Sequence, residues 1–399
     1  MDRGQKLAIL LIGSQRRFKA RARGYAMAKH LLARGHDVTL MVVADKRRAG
    51  IVEEDWDGVR TVETPDLLWG RLRSGWDGWD TLNRLAYLQR EQRGYDLVHC
   101  LDTRPASIYP GMFYARRHHA PILTDWIDWW GRGGIIDEFR PRWYRLLFGG
   151  VETYYEEAFR TRTDGLTAIS TALVQRAIGL GVDPARILHL PNGSWPDVFH
   201  VPDSLTCRRR VGLATAGPII GYSSLDTYFD LAPVFEALAM VVRRYPDARL
   251  LITGRVPSMV AEMQQRHGVE KNVILTGFVP YEDLPWYLGC CDLFITPFQN
   301  KIFNIGRWPS KINDYMSIGR PIVSNPVGDV KTLFEAHDIG LLAQYDPTDF
   351  SDKIAFLIEH PDLARELGAN ARMAAETEYN WSVLIARLEA FYYGFVRQS

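Results

Sequence analysis

The sequence predicts an α/β protein of two Rossmann-like domains, and three observations carry that expectation. Residues 7–12 form a short apolar run closing on Gly13, and a helical stretch ending at Gly35 leads to a second apolar run at 38–43, which together read as a βαβ opening. Residues 218–345 then alternate short apolar runs with helical patterns, which demands a second parallel sheet. Between the two, residues 201–217, with Pro202, an Arg208-Arg209-Arg210 run and Ala/Gly-rich residues, read as a linker. We place the first domain at 1–203, the second at 204–378 and a terminal helical segment at 379–399.

Composition narrows the function classes. The chain has 399 residues, enough for separate cores in each domain, and 47% hydrophobic with 24% charged residues is ordinary for a globular protein. With a formal net charge of +1 no global field draws nucleic acid, and none is expected as a partner. Cys100, Cys207, Cys290 and Cys291 show neither metal nor redox spacing, and the adjacent Cys290 and Cys291 read as buried thiols in a reducing compartment. The first residues carry no signal-peptide pattern, and no apolar run reaches the ~18–20 residues of a membrane span. A cytoplasmic protein is expected, with the inner face of the membrane as one place of action.

Along the first domain, Gly13 ends the opening strand and is followed by a basic loop at 14–24, either a ligand-facing loop or a solvated one. Residues 65–95 alternate Leu, Trp and Arg and read first as a packed helix pair, second as a surface for an acceptor or a membrane. Residues 96–100 are a further strand, with His99 read as a satisfied strand-end histidine. The stretch 121–134 is more informative. A strand runs into an acidic, aromatic, Gly-rich loop at its carboxyl end, where open α/β sheets place ligands. Asp125 and Asp128 among tryptophans suit a sugar, acids holding hydroxyls and rings covering the apolar face; the alternative is a helix cap at Asp128 and core tryptophans. Asn192-Gly193 is a tight-turn signal.

In the second domain a strand at 218–222 opens into Ser223 and Ser224, and residues 248–253 lead through Gly254 to Arg255. Residues 272–280 and 292–298 are further strand-and-turn units, the first containing Phe278. The stretch 304–323 organises the rest. Pro309 can open a helix in its first position, Ile312, Tyr315, Met316 and Ile318 recur near helical spacing, and Gly319 and Pro321 end it. Asn304, Arg307 and Lys311 surround that helix start and Asp314 lies one turn inside, a good anion site with a carboxylate for ligand hydroxyls.

Pro309-x-Lys311-x-x-Asp314-Tyr315-Met316-Ser317-x-Gly319-x-Pro321-Ile322-Val323 resembles the donor-binding segment of family 4 (group 1) glycosyltransferases, which reads roughly P-x-K-x-x-E-Y-M-A-x-G-x-P-V-V. Residues 182–199, 272–280 and 292–297 resemble further family segments in the same order. The resemblance implies the GT-B fold, two Rossmann-like domains facing a cleft with the C-terminal helix crossing back to the first. It implies a nucleotide-sugar donor on the second domain, a hydroxyl acceptor mainly on the first, retention at the anomeric carbon, no essential metal and no cofactor. Donor contacts fall to Gly13, Ser223, Ser224, Arg255, Phe278, Asn304, Arg307, Lys311 and Asp314, and catalytic roles to Asp125, Asp128 and Asp314. Two departures stand out: Gly306 replaces the first acid of the family's Glu-x7-Glu pair, and the lysine that commonly follows the Ser223-Ser224 turn is missing. A nucleotide-sugar epimerase of the same architecture, or a non-catalytic sugar- or nucleotide-binding relative, are the alternatives.

Overall fold

Among the described residues eight strands make the first sheet and six the second. The fold is that of a computed structural model whose described residues are 5–16, 22–45, 47, 49–68, 73–213, 216–223 and 231–396. Chain contacts divide it into two compact units, Met1–Pro191 with Trp381–Ser399, and Asn192–Asn380.

The first unit runs β1 (Ala8–Arg16), α1 (Arg23–Ala33), β2 (Asp37–Val43), β3 (Val52–Trp56), β4 (Val59–Thr64), α2 (Gly78–Arg90), β5 (Leu97–Cys100) and α3 (Pro105–His118). It continues with β6 (Ile122–Trp126), α4 (Ile135–Phe139), α5 (Arg142–Glu157), β7 (Gly165–Ala168), α6 (Thr171–Gly179) and β8 (Ile187–His189). The sheet order is β3-β4-β2-β1-β5-β6-β7-β8, parallel except for the β3–β4 hairpin. Its central strands are apolar on both faces because helices cover both, so Leu10, Ile12, Met41 and Val98 are buried in one cluster. The expected helix pair at 65–95 is a single helix among the described residues. The Asp77 carboxylate caps α2 through Trp79 N and also accepts from Leu67 N and Leu68 N, which folds the preceding segment back onto the cap.

The second unit contains α7 (Ser204–Val211), β9 (Ile219–Ser223), α8 (Ala232–Arg244), β10 (Arg249–Thr253), α9 (Met259–His267), β11 (Val273–Leu275), α10 (Leu284–Gly289) and β12 (Leu293–Thr296). After these come α11 (Ile302–Ile305), α12 (Ser310–Ile318), β13 (Ile322–Ser324), α13 (Asp329–His337), β14 (Gly340–Leu342), α14 (Pro347–Glu359) and α15 (Pro361–Thr377). All strands are parallel, in the order β11-β10-β9-β12-β13-β14. Ile220, Phe235, Leu250, Ile295 and Val323 share its core. The four cysteines are free and buried, and burial pushes the Cys290 thiol up to about 12.

Two expected boundaries move. The division lies at 191/192 rather than 203/204, because the Asn313 amide donates to Asn192 O and Gly193 O and Ser194 N donates to Tyr379 O, binding the connecting segment into the second unit. Pro309 is the N-cap of α12 rather than its first helical residue. The helix ends as read, at Gly319 in the left-handed region (φ 76°), where a Cβ would be strained. The last helix, α16 (Trp381–Val396), packs in the first unit: Arg34 Nε donates to Glu389 at 2.8 Å and His99 meets Tyr392.

Candidate functional site

In the first sheet the strand order reverses direction between β1 and β5, the place where a doubly wound sheet opens a crevice at its carboxyl edge. Ser14, just past Gly13, donates from N and Oγ to Asp102 at 2.8 and 2.6 Å, tying the two strand ends together. A cavity of about 200 Å³ opens there, lined among others by Arg73, Trp76, Arg104, Asp128 and Trp130. Arg73 and Arg104 lie over the Trp130 ring, at 4.2 and 5.3 Å from its centroid. Burial and the neighbouring Arg104 charge lower the Arg73 guanidinium to about 10, against the opposing pull of paired Glu152. Nε and Nη1 of Arg73 and Nε1 of Trp76 are buried without a hydrogen-bond partner among the described residues. Buried donors of this kind are costly unless something fills the cavity and accepts from them.

Asp125 and Asp128 part company. Asp128 lines the cavity and is half-buried. Asp125 is 1% exposed and its oxygens accept from Arg23 Nε (2.7 Å) and Nη2 (3.1 Å) and from Thr167 Oγ1 (2.6 Å). Burial alone would raise its carboxyl; the Arg23 charge and hydrogen bonds outweigh that and hold it below the ordinary value. Thr167, donating to Asp125, accepts from His99 Nε2, and His99 Nδ1 then accepts from the Tyr392 hydroxyl at 2.7 Å. Burial lowers His99 to about 4, so the ring is neutral. The histidine is satisfied, as its strand position predicts.

In the second sheet the order reverses at β9 and β12. Ser223 ends β9, and its N–H donates to the Tyr315 hydroxyl at 2.7 Å. Tyr315 stacks on Phe294 with ring centroids 4.0 Å apart, which fixes α12 against the end of β9 and the side of β12. Lys311 is in the first turn of α12, half-buried, its Nζ 4.1 Å from the Tyr222 ring centroid. Arg307 precedes the helix and sits over Phe298 and Phe303. Asp314 is half-buried one turn into α12. Asn304 is buried on α11, donating to Gln299 O, while its Oδ1 has no hydrogen-bond partner among the described residues. On the other side, Gly254 N donates to Gly277 O at 2.8 Å, pairing the loops after β10 and β11. Arg255 is exposed beside this pair and Phe278 is 71% exposed.

The sequence therefore names residues at two carboxyl edges. Gly13 is in the first unit, its carbonyl accepting from buried Arg84 Nη1 at 3.0 Å. Ser223, Arg255, Phe278, Asn304, Arg307, Lys311 and Asp314 follow the strands of the second unit; Ser224 lies outside the described residues. The sequence reading missed Ser14, Arg73, Trp76, Asp102 and Arg104 of the first cavity. Their only signal was position, immediately after strand ends or within the Leu/Trp/Arg segment. It also missed Arg23 as the partner of Asp125, since that arginine is one of several in the basic loop.

Two doubly wound α/β units, each with its reversal point at a carboxyl edge, are the GT-B architecture. Residues 20–193 match the family model described as "Glycosyl transferase 4-like domain", and residues 223–360 the one described as "Glycosyl transferases group 1". The chain belongs to the group 1, family 4 glycosyltransferases. Among curated proteins it is similar to N-acetyl-alpha-D-glucosaminyl L-malate synthase of Bacillus anthracis, 22% identical over 240 residues, which are 59% of this chain and 61% of that protein. The match thus spans under two thirds of that relative's length. Among solved structures it is similar to sucrose-phosphate synthase of Thermosynechococcus elongatus, with TM-score 0.74, 18% identity, and coverage of 98% of this chain and 100% of that one. It is also similar to HepE of Anabaena in complex with UDP-glucose, with TM-score 0.68, 17% identity, and coverage of 96% and 99%.

Proposed function

We propose that this chain transfers a sugar from a nucleotide-sugar to an acceptor hydroxyl, the second unit holding the donor and the first the acceptor. The observation that carries the proposal is the start of α12 at the β9/β12 reversal point. A helix N-terminus without a side-chain cap, Lys311 in its first turn and Arg307 before it suit a diphosphate, and Asp314 suits the hydroxyls of a ribose or sugar. HepE is solved with UDP-glucose, which supports a nucleotide-sugar as the ligand class.

The acceptor oxygen forms a bond to the anomeric carbon as the bond from that carbon to the diphosphate breaks. The acceptor proton passes to an oxygen of the departing diphosphate, so no protein base is required. Lys311, Arg307, Arg255 and the helix N-terminus offset the charge that develops on the leaving group, the task a divalent cation performs elsewhere. We read the reaction as metal-independent and retaining. In the first unit Asp128, Arg73 and Trp76 contact the acceptor, and Asp125 acts as a positioning residue through Arg23.

A panel of nucleotide-sugars tested by thermal shift, followed by transfer assays with hydroxyl acceptors, tests this reading. A donor that raises the melting temperature and is consumed only with an acceptor supports it. Epimerisation of the donor without transfer, or binding of no nucleotide-sugar, overturns it.

A further inference from the structure

α5 is amphipathic in the opposite sense from a core-packed helix. Its polar residues Glu152, Thr153 and Glu156 are buried. Glu156 accepts from Trp126 Nε1 and Trp130 N, and Glu152 accepts from the Tyr144 hydroxyl. The outer face presents Trp143, Leu146, Leu147, Phe148, Val151 and Tyr154 to solvent, with Leu146 85%, Leu147 67% and Trp143 60% exposed. Residues 143, 147, 151 and 154 recur at spacings of one helical turn, so they form one continuous stripe. Scattered exposed apolar residues are ordinary, but a contiguous stripe marks a surface that meets something apolar.

Charge says what that something is. At the N-terminal end of the stripe Arg140 and Arg142 are exposed and Arg145 is half-buried, with Asp137 and Glu138 as the nearby acids. Cations in a first helical turn oppose the helix dipole, so Arg142 does not serve the helix itself, whereas Arg145 Nη1 donates to Asp137 O at 3.0 Å and ties α5 to α4. At the other end Tyr154 also lines a groove of about 610 Å³ with Arg116, Arg117 and Arg162. At about 1.5 Å per residue the apolar stripe from Trp143 to Tyr154 is about 17 Å long, and cations bracket it at both ends. This is the arrangement of a helix lying in a bilayer interface, where the stripe enters the acyl boundary and the arginines meet phosphates. It also disfavours pairing with a second copy, since either orientation of a twofold pair sets cations against cations.

We propose that the outer face of α5, with the Arg116/Arg117/Arg162 groove, docks this protein onto an anionic phospholipid surface. The surface lies wholly within the first unit and is independent of which sugar is transferred.

The test is co-sedimentation of the full chain with vesicles of phosphatidylcholine alone and of phosphatidylcholine containing about one-third phosphatidylglycerol, a strongly anionic surface. Wild type should partition onto the anionic vesicles about tenfold or more above the neutral ones, a difference of ~1.4 kcal/mol. The Leu146→Glu/Leu147→Glu double variant should lose this binding about tenfold or more with an unchanged melting temperature, because both positions are already exposed. Arg116→Glu/Arg117→Glu should abolish the preference for anionic vesicles. Equal partition of wild type onto both vesicles, or wild-type binding by the Leu146/Leu147 variant, overturns the proposal. So does a wild-type dimer, seen by light scattering without vesicles, that this variant converts to monomer.

Discussion

Arg23 and Asp125 form a buried bidentate ion pair, with Nε to Oδ2 at 2.7 Å and Nη2 to Oδ1 at 3.1 Å, and the same guanidinium donates to the carbonyls of Leu190 and Pro191. One side chain thus joins the start of α1, the end of β6 and the segment that leaves the first unit. A carboxylate engaged in this way from both oxygens orders the strand end from which Asp128 projects.

Removing one partner of the pair should leave an uncompensated buried charge. Arg23→Met is expected to destabilise the first unit by about 3–5 kcal/mol, the usual cost of breaking a buried pair. Combining it with Asp125→Leu should recover part of that loss. Urea unfolding of the two variants beside wild type checks this, and equal stability of Arg23→Met and wild type would show the pair to be inert.

Acid should weaken the fold in two successive windows. His99 has its folded value lowered from 6.5 to about 4, so the unfolded chain takes up a proton first as pH falls through 6.5, and stability drops until about pH 4. The fully developed loss is roughly 3 kcal/mol. Asp125, whose folded value is depressed, adds a loss only below that, as pH falls past the ordinary carboxylate value and through its own. Melting temperatures from pH 7 to 4 should therefore fall for wild type and fall less for His99→Gln. Parallel pH profiles would contradict the assignment.

Lys311→Ala should weaken nucleotide-sugar binding by about 1.5–3 kcal/mol, the range for a charged hydrogen bond. Calorimetric titration of donor into both proteins reads this directly. Unchanged affinity would remove Lys311 from the diphosphate site.

Chelation should leave turnover unchanged if Lys311, Arg307 and Arg255 offset the leaving-group charge. Assays with and without EDTA decide the matter. Activity abolished by EDTA and restored by Mg²⁺ or Mn²⁺ would return that task to a metal.

Asp314→Asn keeps size and one acceptor but removes the charge. Donor use should fall markedly while the melting temperature holds, because Asp314 is half-buried at a helix surface rather than in the core. A lower melting temperature with full activity per folded molecule would make Asp314 a local structural residue instead.

The sequence by itself determined the two α/β halves, many of their parallel strands and the helix from Ser310 to Ile318, though not the antiparallel β3–β4 hairpin or β14, because what it determined rests on local patterns. Apolar runs of strand length, a helical spacing of Ile312, Tyr315, Met316 and Ile318, and a glycine that alone accepts the left-handed turn at 319 are all legible along the chain. Only the tertiary structure decided that Asp125 is paired and buried while Asp128 lines a cavity, since the partners of Asp125 are residues 23 and 167 and the cavity beside Asp128 is lined by residue 73, all distant in sequence. It likewise revealed an exposed apolar stripe on α5, a helix the sequence reading did not single out. A stripe of Trp, Leu and Phe reads the same whether it faces a core or solvent, and only the burial of Glu152 and Glu156 on the opposite side tells which way the helix turns.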